Sequence, residues 1–202
     1  MKAKNEFGDS EEQLRYGYDV DVVKYVNGKR HTINPSTGIV DGSLLFDFLD
    51  NQGCSLRLPR PHEYSSSLAK LLCLGDELFE NDNGVNVYIT PYPKTKDKAQ
   101  DGDKKEQGFA PHYDDVDTFL LQIEGKKYWN LYTPPEESML LDIEPSKDFT
   151  ADIIKKSKKY WSGFLNEGDI LYMPRGVVHF GKTMPQSSEE ATHSLHVTLS
   201  NQ

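Results

Sequence analysis

Short apolar runs broken by polar punctuation make up most of the chain, and their period shifts between two and about four. Over 19–26 apolar positions partly alternate, with Val20, Val22 and Tyr25, and Asn27-Gly28 is a turn signal; this predicts a hairpin returning through 29–33. Residues 43–52 carry Leu44, Leu45, Phe48 and Leu49 at helical spacing, with Ser43 as the cap and Gly53 as the stop. Residues 54–58 read as a strand ended by Pro59 and Pro61. A second helix is expected over 62–80, from Leu68, Leu71, Leu72, Leu74, Leu78 and Phe79. Strict alternation over 85–90 predicts a strand with Asn86 and Tyr88 on one face. Further strands are expected at 161–165 and 170–173. The last, 193–200, places Leu195, Val197 and Leu199 on one face and His196, Thr198 and Ser200 on the other.

Between these elements lie polar stretches. Residues 94–107 contain no apolar residue except Ala99 and are expected to form a mobile surface loop. Residues 134–160 read as a connection, part helix, whose lysine-rich piece 155–159 is a solvated face, and 184–190 reads as another loop. Many short strands in the last two-thirds, preceded by helices, predict a mainly β fold with flanking helices, closed as a sandwich or jelly-roll barrel. The mouth of such a barrel can hold a small ligand.

Composition narrows the function. The chain has 202 residues, 36% hydrophobic and 11% aromatic, enough for a core without staples. A net charge of −9 argues against a nucleic-acid-wrapping module, so no direct nucleic-acid binding is expected. Two cysteines, Cys54 and Cys73, make no disulfide framework and read as buried reduced thiols, consistent with an intracellular setting. No apolar run approaches a membrane span, and the first residues lead into acid rather than a signal-peptide core.

The chemistry concentrates in 108–132. If His112-Tyr-Asp114 is extended, an imidazole and a carboxylate project side by side and can hold adjacent positions on one divalent metal. A second histidine would complete a facial triad that leaves positions open on iron(II). That histidine has its own signal. Gly168, five residues, Pro174-Arg-Gly176, two residues and His179 match the second metal motif of the cupin β-helix, except that the motif's later Asn falls on Thr183. Lys127 shares its strand face with Trp129 and Leu131, whereas Lys126 faces the other way; a lysine in an apolar pocket suits a carboxylate-bearing co-substrate.

Each residue has a blander reading. His-x-Asp alone is common by chance, and a lysine can snorkel. His31 and His62 read as surface. His193 and His196 read as structural, Cys54 as core, and Trp129 and Trp161 as core aromatics.

The segments Asn86-Val-Tyr88-Ile-Thr90-Pro91, Gly108-Phe-Ala-Pro-His112-Tyr-Asp114-Asp, Leu121-Gln-Ile-Glu-Gly125-Lys-Lys127-Tyr-Trp129, Gly168 to Gly176 and His193 to Ser200 resemble the ribosomal oxygenases of the JmjC class, closest to the nucleolar histidyl-hydroxylase branch and its sister, the myc-induced nuclear antigen. The resemblance implies a double-stranded β-helix (cupin, jelly-roll) barrel. It implies Fe(II), 2-oxoglutarate as co-substrate and O2, with hydroxylation of a protein side chain. His112, Asp114 and His179 would hold iron. Lys127 would meet the distal carboxylate of 2-oxoglutarate, helped by Thr198, with Asn86 near co-substrate and iron. Tyr88, Arg57 and Ser200 would line the substrate site. Residues 1–15 would be a flexible N-terminal segment and 16–202 the catalytic domain, with helices and strands to about 84 and the β-helix core from about 85 to 200.

The substrate implied is a histidine of a ribosomal protein, with location in the nucleus or nucleolus and no membrane contact. Lysine demethylation, with histone H3 as partner, uses the same triad and is the alternative within the class. Outside it stand a non-catalytic cupin-like binding module and a cupin isomerase or small-molecule dioxygenase; the last tends to use more histidine ligands, which Asp114 counts against. Family members continue into a helical dimerisation domain and a winged-helix domain, whereas this sequence stops after Ser200, which makes dimerisation doubtful.

Overall fold

A computed structural model describes residues 13–26, 29–36, 38–93, 109–135, 144–184 and 192–201. The turn at Asn27-Gly28, the insert 94–107 and most of the loop 184–190 lie outside the described residues, as do residues 1–12 of the N-terminal segment.

Two sheets form the barrel. The first elements are β1 (Asp21–Val26) and β2 (Lys29–Thr32), paired antiparallel with Val26 opposite Lys29, which is the expected hairpin. Next come helix α1 (Gly42–Asp50), β3 (Ser55–Pro59), helix α2 (Ser66–Phe79) and β4 (Asn83–Pro91). The barrel continues with β5 (Asp117–Glu124), β6 (Lys127–Tyr132), the one-turn α3 (Ala151–Ile154), β7 (Lys159–Leu165), β8 (Ile170–Met173), β9 (Val178–Lys182) and β10 (His193–Asn201). The seven-stranded sheet runs β2-β1-β3-β4-β10-β5-β8, and the three-stranded sheet runs β7-β6-β9.

Period-two patterning places the cores. Val85, Val87, Val197 and Leu199 are buried on one face of the large sheet, where Leu68, Leu71, Leu72 and Phe79 of α2 cover them. The opposite face of β4 and β10 looks toward the small sheet, and Leu120, Trp129, Leu131, Leu165 and Met173 fill the space between. A separate cluster around Val20, Val22, Leu45, Phe48 and Leu56 anchors α1 to β1 and β3.

Several expectations shift. Asp41, not Ser43, caps α1: its carboxylate accepts the Ser43 and Leu44 N–H groups, and also the Ser43 hydroxyl. The second helix starts at Ser66 rather than 62, because Pro61–Glu63 form a 3-10 turn and Ser65 caps α2 by accepting from Leu68 N–H. Strand β7 begins at Lys159, two residues before the expected 161. Leu14 is buried in the core around α1, so ordered packing begins inside the segment 1–15. Cys54 is buried but Cys73 is exposed, on the outer side of α2. Trp161 is 36% exposed rather than core. His112 and Asp114 are not on a continuous strand, since β5 starts at Asp117; His112 instead forms an isolated bridge with His179.

Candidate functional site

That bridge builds the site. His112 N–H donates to His179 C=O at 3.2 Å, and His179 N–H returns to His112 C=O at 2.8 Å. Asp114 C=O accepts Gly176 N–H at 3.0 Å, so the turn before β9 and the turn before β5 lie side by side. Gly176 has φ +81, a conformation that costs a residue with a Cβ, which is why the Pro-x-Gly turn needs glycine there.

The side chains converge. His112 Nε2 is 3.7 Å from Asp114 Oδ1, and His179 Nε2 is 3.6 Å from Asp114 Oδ2. All three donor atoms lie within 4.8 Å of one another. Each imidazole turns its other nitrogen to a backbone carbonyl: His112 Nδ1 to Ala110 O at 2.7 Å and His179 Nδ1 to Val177 O at 3.0 Å. Those contacts favour the Nδ1–H tautomer and leave both Nε2 lone pairs facing the carboxylate. Burial, and then the neighbouring His112, lower the His179 pKa to about 4, so its ring is neutral and able to ligate at ordinary pH. Two neutral imidazoles and one carboxylate form the donor set of an open-sided iron(II) site.

The triad opens on a cavity of about 360 Å³ between the sheets. At its inner end lies Lys127, 4% exposed. Its ammonium donates to Thr90 Oγ1 at 2.8 Å and sits 5.4 Å from the Trp129 ring centre. Among the described residues no carboxylate pairs with it. Burial pushes its pKa down to about 7. Lys126 faces the other way, over Phe164, as alternation predicts.

The other expected residues also line the cavity. The β4–β10 register pairs Asn86 with Thr198 and Tyr88 with His196. Arg57 Nη2 donates to Asn86 Oδ1 at 3.4 Å, and Arg57 Nη1 lies 3.8 Å from Asp21. Ser200 and Thr198 reach the cavity from the same face of β10. Burial raises the Tyr88 pKa, so its hydroxyl stays protonated.

His196 was read as structural and instead lines the cavity. It is buried, stacks on Tyr88 with centroids 4.9 Å apart and planes 6° apart, and meets Trp129 edge-on at 5.3 Å. Its Nδ1 has no hydrogen-bond partner among the described residues, and burial holds the ring well below its usual pKa, so it is neutral. Alternation had already placed it on the face of Thr198 and Ser200; that was the available signal. Trp129, read as plain core, is also a cavity wall, and Thr90 was not singled out at all. His193 pairs with Glu124 at 3.1 Å, away from the cavity.

Fold and donor set together define the class: a double-stranded β-helix barrel with a His-x-Asp…His cluster at its mouth. The chain belongs to the JmjC family, whose JmjC domain matches residues 77–202. Ribosomal oxygenase 1 of Danio rerio is 38% identical over 190 residues, 94% of this chain and 31% of that protein. The bifunctional lysine-specific demethylase and histidyl-hydroxylase NO66 of Dictyostelium discoideum is 38% identical over 187 residues, 93% of this chain and 32% of that protein. The chain thus spans about a third of the length of these curated relatives. Among solved structures, the Escherichia coli ribosomal oxygenase YcfD in complex with cobalt and 2-oxoglutarate superposes with a TM-score of 0.55 at 20% identity, over 91% of this chain and 40% of that one; at that identity it shows the fold alone.

Proposed function

We propose that this chain is the catalytic domain of an Fe(II)- and 2-oxoglutarate-dependent protein hydroxylase that uses O2 and acts on a histidine of a ribosomal protein. The observation that carries the reading is the placement of two opposite requirements in one cavity. A triad with open coordination positions stands at the mouth, and a buried ammonium with no carboxylate partner among the described residues stands at the inner end. A dicarboxylate fits that pair, chelating at one end and ion-paired at the other. The names of the relatives point the same way, and YcfD was crystallised with cobalt and 2-oxoglutarate.

In this reading His112, Asp114 and His179 hold the metal. Lys127 holds the distal carboxylate, with Thr198 and Asn86 beside the co-substrate, and Tyr88, Arg57 and Ser200 contact the substrate. The metal and co-substrate, when bound, supply the oxygen chemistry that hydroxylates a C–H bond while 2-oxoglutarate loses carbon dioxide. The protein's part is positioning and shielding. The Ala110 and Val177 carbonyls fix the imidazoles, and Trp129, Leu120 and Met173 keep the inner end dry. Residues 16–202 form the catalytic domain, and the location that goes with this reading is the nucleus or nucleolus. Among the described residues no helix is long and apolar enough to cross a membrane.

The name of the Dictyostelium relative also includes lysine demethylation, with histone H3 as the candidate partner here. Arg30 and Arg57 line the cavity, but Asp148 lines it too and Arg57 lies 3.8 Å from Asp21, so the charge of the lining favours neither guest. Incubating the protein with Fe(II), 2-oxoglutarate and ribosomal or methylated histone peptides, followed by mass spectrometry, tests this. One added oxygen on histidine is expected. Loss of methyl from lysine would replace the reading with the demethylase, and no turnover of 2-oxoglutarate with any peptide would favour the binding module.

A further inference from the structure

The register of β4 and β10 turns one wall of the cavity into a ladder. Thr90 pairs with Ser194, Tyr88 with His196, Asn86 with Thr198 and Gly84 with Ser200, each rung about 7 Å nearer the mouth than the last. Ser200 also lies opposite Thr118, at the triad end of β5. Lys127 reaches the innermost of these rungs, where its ammonium donates to Thr90 Oγ1. The next rung outward carries His196, and Thr198 stands one rung further. An anion seated on the Lys127 ammonium therefore meets His196 before it meets Thr198.

The surroundings of His196 would suit a phenylalanine. The ring is 3% exposed, stacks face to face on Tyr88 and takes Trp129 edge-on. Phenylalanine would make both contacts without burying a nitrogen. On the neighbouring rungs the polar groups are engaged, Thr90 by Lys127 and Ser55, and Asn86 by Arg57. His196 makes no hydrogen bond among the described residues, and its Nδ1 is walled in. A buried polar group left unmet is costly, so a histidine in this slot calls for a partner that the protein itself does not supply.

The chemistry of that partner follows from the rungs. With Nδ1 walled in, Nε2 is the nitrogen left for a guest, and a neutral imidazole protonated there is a donor. An ammonium binds a carboxylate as a point charge and leaves its second oxygen in need of another donor. His196 is the donor on the adjoining rung. We infer that His196 is a co-substrate-binding residue, whose Nε2–H donates to the same distal carboxylate that Lys127 pairs with. The inference rests on the 2-oxoglutarate reading above and adds a second donor at the inner end of the cavity.

The test is calorimetric titration of 2-oxoglutarate into the 202-residue chain loaded with manganese. A parallel titration uses oxalate, which chelates a metal but carries no distal carboxylate. His196→Phe keeps the stack on Tyr88 and removes the donor. It should weaken 2-oxoglutarate by about tenfold or more, the loss of one hydrogen bond to a charged group. Manganese affinity, oxalate affinity and melting temperature should stay at the parent values. His196→Gln carries an amide N–H near the place of Nε2 and should recover most of the loss. His196→Asn, whose amide matches Nδ1 instead, should not. If His196→Phe fails to fold, the contrast between the Gln and Asn variants carries the test. Unchanged 2-oxoglutarate affinity in His196→Phe, with Lys127→Met still weakening it, would overturn the inference and leave the co-substrate reading standing. An equal loss for oxalate would also overturn it, since His196 would then act on the metal end. If the parent chain with manganese does not bind 2-oxoglutarate, the co-substrate reading falls and this inference with it.

Discussion

Lys127 and Thr90 meet across the closed end of the cavity, ammonium on β6 to hydroxyl on β4 at 2.8 Å, so one hydrogen bond ties the small sheet to the large one. Ser55 Oγ in turn lies 3.3 Å from Thr90 Oγ1. Thr90→Val keeps the shape and removes the acceptor, leaving a buried ammonium without its partner at a cost of roughly 1–3 kcal/mol. A lower melting temperature is expected, together with 2-oxoglutarate binding weakened several-fold because Lys127 is less well held and less readily charged. Thr90→Ser should restore most of both. Calorimetric titration with manganese in place of iron measures the second effect without turnover.

Lys127 itself sets a pH dependence. Its folded pKa, about 7, lies below its ordinary 10.5. Between those values the unfolded chain holds a proton that the folded chain has released, so this group makes stability rise with pH through that window. Co-substrate affinity runs the other way, because the ammonium is the form that pairs with a carboxylate. Affinity should be flat below about pH 7 and fall above it by up to about tenfold per pH unit. Lys127→Met should flatten both profiles and weaken 2-oxoglutarate about ten- to hundredfold at pH 6.5, the loss of one charge-assisted hydrogen bond. Lys126→Ala should leave both profiles as they were; damage there would mean that the strand register is wrong by one.

His112→Ala, Asp114→Ala and His179→Ala should each reduce 2-oxoglutarate turnover at least about hundredfold, since even partners behind metal ligands are worth 10–100-fold. The fold should survive, because the bridge between positions 112 and 179 is made by main-chain groups. Asp114→Ala removes the only anionic donor of the three and should lower metal affinity most, as read by manganese titration. Succinate formation close to the parent rate in any of the three would remove that residue from the site.

Gly125 links β5 to β6 and so sets where Lys127 begins its strand. It has φ +63, and a Cβ there would meet the Tyr92 hydroxyl and lie 2.6 Å from His193 O. Gly125→Ala should cost roughly 1–3 kcal/mol, or about 2–12 °C in melting temperature. Gly168→Ala has a similar φ of +85 but open space around it, so it should cost less. Equal melting points for the two variants would show that the contact at Gly125 relaxes freely.

The strands that carry the cavity were legible because each is half-buried. Alternation over 85–90 and 193–200 placed Asn86 with Tyr88 and Thr198 with Ser200 on inward faces, and Lys127 was separated from Lys126 by the same rule. His112 and Asp114 were found for an incomplete reason. They are held together by a turn and by main-chain bonds to His179, a partner 67 residues away that no local pattern encodes (179 − 112). Thr90 escaped because its role depends on a lysine from the other sheet. His196 escaped because its face was read correctly and its neighbours were not. Helix starts moved for local reasons: Asp41 out-competed Ser43 as a cap, and Pro61 opened a 3-10 turn before α2.

Strand β10 comes last among the described elements yet lies in the middle of the large sheet, bonded to β4 on one side and β5 on the other. A ribosome therefore completes everything from β4 to the loop before β10 before the two halves of that sheet can join. Until residues 193–201 emerge, β4 and β5 present open edges, and the apolar side chains of Val85, Val87 and Phe119 have no Val197 or Leu199 to cover them. The cavity cannot exist in any earlier intermediate, since Thr198 and His196 form part of its wall. The interval before the last strand is inserted is the time when the nascent protein is most exposed to aggregation and most in need of a chaperone.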